Sequence, residues 1–487
     1  MVMTYRNYIS GRWISSDSGK LFLSDNPFNE MPVGQFQAST RTDIQHAITS
    51  AELAYQSWKD VPAPQRAKYL WNMKDLLIKH KERLARLIVL EMGKVISEAR
   101  GDIQEAIDVF EYMAGEGRRM FGHTTPSELK KKFAMTIRLP IGVVGLITPW
   151  NFPIAIPAWK SAAALICGNT VVWKPSSDTP LCAVEFAKLI AEAGFPHGTF
   201  NMVTGSGEEL GDEIVKNQLI RAISFTGSRD VGEKIIRHAG IKRVGLELGG
   251  KNAIIIMDDA NLDLAVEGVV WGAFGTTGQR CTATSRVIVH ERVKKVFEKK
   301  LIAMVKNLKI GEGTHSDIGP LINSSAVEKC VRYVEIGKKE GASLIYGGKP
   351  LLIKGKGSFF QPTIFTNCKS DMRICQDEIF GPVLSIIPVK NFEESLRVAN
   401  GVAFGLSSAI YTSDISKAFQ AVHKLEAGLT YVNSSTIGSE VHLPFGGVKA
   451  TGNGTREAGI NGIDEFSEIK TVYFDYSDKL QRATIDD

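Results

Sequence analysis

Five short apolar runs, set apart by helix-length segments, constrain this chain more than any other feature. They are Ile141-Gly-Val-Val-Gly-Leu-Ile147, Thr170-Val-Val-Trp173, Thr199-Phe-Asn-Met-Val203, Ala222-Ile-Ser-Phe225 and Ala253-Ile-Ile-Ile256. Near-continuous apolar strands alternating with helices predict βαβ crossovers and a parallel sheet covered on both faces. Sheets of that kind bind ligands beyond the carboxyl ends of their strands. A second series, Val287-Ile-Val289, Ser343-Leu-Ile-Tyr346 and Val383-Leu-Ser-Ile-Ile-Pro388, predicts another α/β unit. Upstream, apolar residues at three-to-four spacing (Tyr69, Met73, Leu76, Leu77, then Leu84, Leu87, Ile88) predict helices from about residue 43 to 119, with Pro62 and Pro64 marking a break. The segment Thr471-Val-Tyr-Phe-Asp-Tyr476 reads as an isolated strand, paired either with the polar stretch before Pro140 or with another subunit.

Length and charge narrow the function classes. A chain of 487 residues exceeds the size at which one core keeps growing, so two or three domains are expected. The net charge of +5 comes without a run of five basic residues, which argues against a nucleic-acid tail. The N-terminus lacks the apolar core of a signal peptide, and no stretch nears eighteen uninterrupted apolar residues, so a cytoplasmic protein without membrane contact is expected. The six cysteines (Cys167, Cys182, Cys281, Cys330, Cys368, Cys375) are too sparse for a disulfide framework and form no C-x-x-C pair. No histidine pair stands at metal-ligand spacing, and no metal is expected; His197 and His442 read as structural or exposed.

Four segments carry candidate chemistry. Gly205-Ser-Gly-Glu-Glu-Leu-Gly211 looks like a dinucleotide fingerprint but is one residue too long for the usual turn, and a plain glycine-rich turn explains it as well. Phe225-Thr-Gly-Ser228 ends an apolar strand and opens a helix; Gly227 permits close backbone approach, and Ser228 is placed to cap the helix and offer donors to a phosphate. In Gly275-Thr-Thr-Gly-Gln-Arg-Cys-Thr-Ala-Thr284 a thiol lies among small and polar residues beside the cation Arg280, a setting that favours thiolate and admits substrate. By local composition alone, nucleophile and ordinary thiol are equal readings. Leu246-Glu-Leu-Gly-Gly-Lys-Asn252 sets one carboxylate between apolar residues and a double glycine; Glu247 is there either desolvated and useful as a base or solvent-facing at a strand end.

Taken together and in order, Pro149-Trp-Asn-Phe-Pro153, Trp173-Lys-Pro-Ser176, Phe225-Thr-Gly-Ser228, Leu246-Glu-Leu-Gly-Gly250, Gly278-Gln-Arg-Cys281, Glu378-Ile-Phe-Gly-Pro-Val383 and Pro444-Phe-Gly-Gly447 resemble the aldehyde dehydrogenase superfamily over essentially the whole chain. The resemblance implies an α/β fold with a five-stranded Rossmann-type cofactor domain (residues 1–119 and 141–248), an α/β catalytic domain (249–466) and a small β flap (120–140 and 467–487) for a homo-oligomer, a dimer or tetramer. It implies Cys281 as nucleophile, Glu247 as the base that activates water, and Asn151 with the Cys281 N–H as oxyanion donors. The cofactor, NAD or NADP, would be held by Trp150, Lys174, Ser176, Ser177, Gly205, Thr226, Gly227, Ser228, Leu248, Glu378 and Phe380. Lys174 would reach the adenosine ribose, Gly227 and Ser228 the pyrophosphate, and Glu378 the nicotinamide ribose.

Two details go beyond the shared pattern. Where members selective for NAD often carry a glutamate three residues after the lysine, this chain has Ser177, so NADP is expected to be accepted. The substrate tunnel implied by the resemblance is lined by Phe152, Ile156, Trp159, Arg280, Thr282, Phe445 and the loop 433–443. Arg280 would there hold the carboxylate of an ω-semialdehyde acid, or else support the loop or tune the thiol. The stretches around Cys281 and Tyr112-Met-Ala-Gly-Glu-Gly117 look most like the branch that oxidises 2,5-dioxopentanoate (α-ketoglutarate semialdehyde). Succinate-semialdehyde or general aliphatic aldehyde oxidation is the alternative. Acyl transfer to coenzyme A fits poorly with Glu247, and a catalytically silent, crystallin-like protein fits poorly with intact Cys281, Glu247 and Asn151.

Overall fold

In the computed structural model, which describes residues 2–482 and 484, the apolar runs form two separate sheets. The first has the order Arg243–Glu247, Ile220–Thr226, Val143–Ile147, Thr170–Lys174, Phe200–Met202, all parallel, followed by Asn7–Ile9 and Arg12–Ile14 running antiparallel at the edge. Five parallel strands thus carry two N-terminal additions that periodicity did not announce. All five residues of Val143–Ile147 and of Thr170–Lys174 are buried, as strands covered on both faces should be. Helices Ala155–Ile166, Pro180–Glu192, Gly207–Lys216 and Arg229–Ala239 supply the crossovers.

The position of Val143–Ile147 matters most. From it the chain winds outward through the next two strands on one side, then returns to lay Ile220–Thr226 against its other side. The strand order therefore reverses between these two neighbours, and a crevice opens beyond their carboxyl ends, at Thr148–Phe152 and Thr226–Ser228.

The run at 253–256, grouped above with the first series, belongs to the second sheet. Its order is Ser343–Tyr346, Thr363–Thr366, Val383–Val389, Thr284–His290, Asn252–Ile256, Ser407–Tyr411, Leu429–Val432, parallel except for the first pair. The reason is geometric: only residues 248–251 separate it from Glu247, and a parallel neighbour in the same sheet needs a crossover of a dozen residues or more. The double glycine is thus the passage from one sheet to the other.

The C-terminal strand, Ser467–Asp475, is longer than expected and pairs within the chain, antiparallel to Lys132–Pro140 with Thr471 opposite Thr136; Thr124–Pro126 completes this sheet. Residues 483 and 485–487 of the expected flap lie outside the described residues. Upstream, helices Arg41–Trp58, Ala63–Met92 and Ile96–Glu116 fill the predicted helical region, with Pro62 at the N-cap of the second and Gly93, at φ 84°, ending it. One buried residue ties that layer to the first sheet. Glu91 accepts the N–H groups of Leu181 and Cys182, both at 2.7 Å, and so caps helix Pro180–Glu192, whose own N-cap Thr179 makes no side-chain bond.

Candidate active site

The crevice at the strand-order reversal holds two cavities that share Pro149, Thr226, Gly227 and Ser228. One, of about 410 Å³, runs past Trp150, Asn151, Leu248, Glu378 and Phe380 to Cys281. The other, about 470 Å³, is lined by Lys174, Ser176, Gly207 and Gly211. Residues from six separated motifs therefore meet around one groove.

Cys281 stands at the end of a strained loop. Helix Leu262–Phe274 stops at Gly275, and Thr276 (φ 50°), Thr277 (φ 56°) and Gly278 (φ 70°) follow in the left-handed region. For two β-branched threonines this costs on the order of 1 kcal/mol or more each. The strain is held by hydrogen bonds: Thr276 N–H to both oxygens of Glu98 (2.9 and 2.8 Å), Thr276 Oγ1 to Glu98 (3.0 Å), and Thr277 Oγ1 to the Gly319 carbonyl (2.9 Å). A Cβ on Gly278 would sit 2.3 Å from the Gly381 oxygen, so only glycine fits. The double glycine has a similar cause. A Cβ on Gly249 would lie 2.4 Å from the Glu378 carboxylate, and one on Gly250 2.4 Å from the Cys281 carbonyl.

Of the six cysteines, five are buried and Cys281 alone is partly exposed. Its thiol is pushed up to about 12, by burial first and then by the carboxylates of Glu247 and Glu378. The sequence-based expectation of a thiolate stabilised by Arg280 is therefore corrected. The guanidinium is engaged elsewhere, giving Nη2 to Glu98 (3.1 Å) and Nε to Thr276 Oγ1 (2.8 Å), and does not lower the thiol.

Glu247 ends strand Arg243–Glu247 and is buried, which resolves its two readings in favour of the desolvated carboxylate. Neither of its oxygens accepts a hydrogen bond among the described residues. Burial and the neighbouring Glu457 carboxylate raise it well above the usual carboxylate range, with Lys160 opposing. Behind it Lys160 is ion-paired with Glu457 and donates to Ser224 Oγ (2.8 Å), whose hydroxyl is 3.3 Å from Glu457. Sequence reasoning missed this cluster; the one available signal was a lysine in the otherwise apolar helix Ala155–Ile166. It also missed Asn323, Lys329 and Arg332, which line the Cys281 cavity, and Glu98.

Asn151 is buried, its Nδ2 donating to the Gln279 carbonyl (3.1 Å) with one N–H to spare, and its Oδ1 unpartnered among the described residues. Phe152 lies between two cations, the Lys94 ammonium 3.6 Å and the Arg280 guanidinium 5.5 Å from its ring centre. Trp159 and Phe445 meet edge to face at 5.2 Å, as do Trp150 and Phe380 at 5.6 Å. The Thr282 carbonyl accepts from Thr436 of the 433–443 loop (2.8 Å).

On the other side of the groove, Lys174 is buried and its ammonium makes no hydrogen bond or ion pair among the described residues; burial lowers it to about 8. Thr226 Oγ1 is buried and unpartnered as well. Ser228 occupies the N-cap of helix Arg229–Ala239, yet its hydroxyl makes no capping bond. Glu378 spends one oxygen on the Gly250 N–H (2.8 Å). Ser177 and Gly205 are not brought to the cavity walls; Ser177 Oγ donates to the Gly205 carbonyl (2.9 Å).

A parallel α/β sheet whose strand-order reversal opens onto a partly exposed cysteine, with a buried carboxylate at the end of one strand, has the layout of an enzyme built on a nucleophilic thiol. A profile of the aldehyde dehydrogenase family matches residues 13–472, and the chain belongs to that family. It is 43% identical over 483 residues to the alpha-ketoglutaric semialdehyde dehydrogenase of Bacillus subtilis (strain 168), covering 96% of this chain and 98% of that one. It is 40% identical over 472 residues to the 2,5-dioxopentanoate dehydrogenase of Saccharolobus solfataricus, covering 96% and 98%. The crystal structure of betaine aldehyde dehydrogenase from Staphylococcus aureus in complex with NAD+ superposes with a TM-score of 0.96 at 35% identity, covering 98% of this chain and 96% of that one.

Proposed function

We propose that this enzyme oxidises 2,5-dioxopentanoate to 2-oxoglutarate through a thioester on Cys281. The observation that carries the substrate choice is Arg280: adjacent to the nucleophile in the chain, over the ring of Phe152, its side chain only 13% exposed, with no hydrogen bond from Nη1 among the described residues. A guanidinium edge so placed suits the carboxylate at the far end of a semialdehyde acid. The names carried by the two relatives agree with this reading.

The groove fits NAD or NADP, because it holds an unpaired buried lysine, a free hydroxyl at a helix N-terminus and an orphaned Thr226 hydroxyl, all suited to phosphate and ribose oxygens. Trp150, Lys174, Ser176, Thr226, Gly227, Ser228, Leu248, Glu378 and Phe380 would hold it. When bound, it supplies the hydride acceptor. In the protein's part of the reaction, Glu247 takes the Cys281 proton and the sulfur adds to the aldehyde carbon. Asn151 Nδ2 and the Cys281 N–H hold the oxygen as it gains charge, worth a few kcal/mol per donor. Once the carbon has lost its hydride, the acyl group stays on sulfur. Glu247 passes the first proton out toward Glu457 and, ionised again, deprotonates water; the hydroxide displaces the thiolate, and the carboxylic acid leaves. The thiolate takes back the second proton from Glu247, which restores the starting state.

NADP is accepted in this reading because no acid takes the place of Ser177, and Asp212, which lines the Lys174 cavity, is already paired with Lys216 (3.1 Å) and Lys234 (2.9 Å). The pairing of Arg280 with Glu98 favours a second reading, a general aldehyde dehydrogenase in which Arg280 only supports the loop. Comparing kcat/KM for 2,5-dioxopentanoate, succinate semialdehyde and an uncharged aldehyde of similar length, with NADP and with NAD, separates the two. The carboxylated substrates are expected to win by about tenfold or more, and Arg280→Ala to erase that advantage. Equal turnover of the uncharged aldehyde would select the second reading, and no turnover with NADP would remove the cofactor inference.

We also read residues 1–119 and 141–248 as the cofactor domain, 249–466 as the catalytic domain and 120–140 with 467–487 as an oligomerisation flap, making a homodimer or homotetramer. The flap exposes Ile469 and Tyr473 on one face and Phe474 on the other, each more than half accessible, which a lone monomer has no reason to do. Phe474→Asp combined with Ile469→Asp is expected to yield a smaller species by light scattering; an unchanged mass, or a wild-type monomer, would contradict this. The six unpaired thiols suit a reducing compartment, and we adopt a cytoplasmic location, which cell fractionation can refute.

A further inference from the structure

We propose that Glu98, which takes no part in the reaction, is a positioning residue that sets substrate preference by orienting Arg280. The proposal rests on the reading of Arg280 as the anchor for a substrate carboxylate. Glu98 lies in the first turn of helix Ile96–Glu116, where a carboxylate commonly caps its own helix. Here it reaches out instead to the nucleophile loop. Its oxygens accept the Thr276 N–H, the Thr276 hydroxyl (3.0 Å) and Arg280 Nη2 (3.1 Å). The same hydroxyl oxygen accepts from Arg280 Nε at 2.8 Å.

The consequence is a closed triangle of Glu98, Thr276 and Arg280. The inner edge of the guanidinium, Nε and one hydrogen of Nη2, is spent inside it. The outer edge, Nη1 and the second Nη2 hydrogen, is left in one plane, and the Phe152 ring fixes that plane from one side. Both partners of the ion pair are nearly buried, at 13% and 12% side-chain exposure, so neither swings freely. An arginine on a long stem otherwise gives up rotamer freedom when it binds a carboxylate; here that ordering is complete before the substrate arrives. The other cation on the Phe152 ring, Lys94, is engaged by Asp102 at 2.9 Å, so of the two only Arg280 keeps an open edge. Glu98 reduces the net charge of the site, so geometry rather than attraction is what it contributes.

The test is the specificity ratio, kcat/KM for succinate semialdehyde and 2,5-dioxopentanoate over kcat/KM for an uncharged aldehyde, in the full-length enzyme. A merely structural role of Glu98 would slow all substrates together and leave this ratio alone. Glu98→Gln, isosteric but without the negative charge of the ion pair and with one accepting oxygen in place of two, is expected to lower it about tenfold, as is Thr276→Ala, which removes the hydroxyl linking the other two. In the Arg280→Ala background, Glu98→Gln is expected to change the ratio no further. If Arg280→Ala lowers the ratio but Glu98→Gln and Thr276→Ala leave it unchanged or raise it, the inference is overturned and the anchor survives. If Arg280→Ala itself leaves the ratio unchanged, the anchor reading fails and takes this inference with it. Should Glu98→Gln fail to fold, Thr276→Ala alone decides.

Discussion

Replacing Cys281 with alanine is expected to lower aldehyde oxidation by at least about 10,000-fold while leaving cofactor binding intact, because nothing else in the chain can form the covalent bond. Each remaining cysteine is buried and away from the walls of the Cys281 cavity; burial pushes the Cys167 and Cys330 thiols up to about 12, and Cys375, whose contact with Cys368 lowers it, is enclosed as well. The alanine removes one partly exposed side chain at a loop end; the Glu98 and Gly319 anchors of the loop stay in place. Steady-state rates together with a fluorescence titration of reduced cofactor check both halves of the expectation. A Cys281→Ala enzyme with ordinary turnover would dispose of the covalent mechanism.

Glu247→Gln is expected to cost about 100- to 10,000-fold in steady-state rate, the range of a lost general base, and to slow thioester hydrolysis more than hydride transfer. The asymmetry follows from the electrostatics around Cys281. After burial, the Glu247 carboxylate is the largest cause of the raised thiol pKa. Taking that charge away removes its repulsion of the thiolate, so the thiol should titrate below about 12 and partly make up for the missing base in the first step. No such relief exists for water. Rapid mixing should therefore show a burst of reduced cofactor followed by a slow phase, and iodoacetamide should alkylate Cys281 faster than in wild type at the same pH. Loss of the burst together with the slow phase would mean that Glu247 serves the first step more than the second.

What could be read without coordinates follows a physical pattern. Strands such as Val143–Ile147 and Thr170–Lys174 announce themselves because burial on both faces demands uninterrupted apolar residues. Asn7–Ile9 is three residues long and gains its burial from Phe200–Met202, almost two hundred positions away, so its own composition says little. Glu247 and Asn151 could be named from ordered motifs, but the Lys160–Glu457 pair could not, since its members are 297 residues apart and only the fold joins them. Arg280 shows the opposite hazard. Adjacent to Cys281 in sequence, it reads equally as a carboxylate anchor, a loop support or a group that tunes the thiol, and its pairing with Glu98, 182 positions away, could not be read from the sequence. Ser177 is similar: the missing negative charge was legible, while the hydroxyl's attachment to the Gly205 carbonyl was not.

The central claim, a thioester on Cys281 released by Glu247, is tested most directly by mass. Glu247→Gln enzyme mixed with 2,5-dioxopentanoate and oxidised cofactor, then quenched in acid during the slow phase, should gain the mass of the acyl group on the peptide that carries Cys281, and enzyme with Cys281→Ala added should gain none. Protein of unaltered mass despite a burst of reduced cofactor, or an acyl group on any other cysteine, would contradict the account.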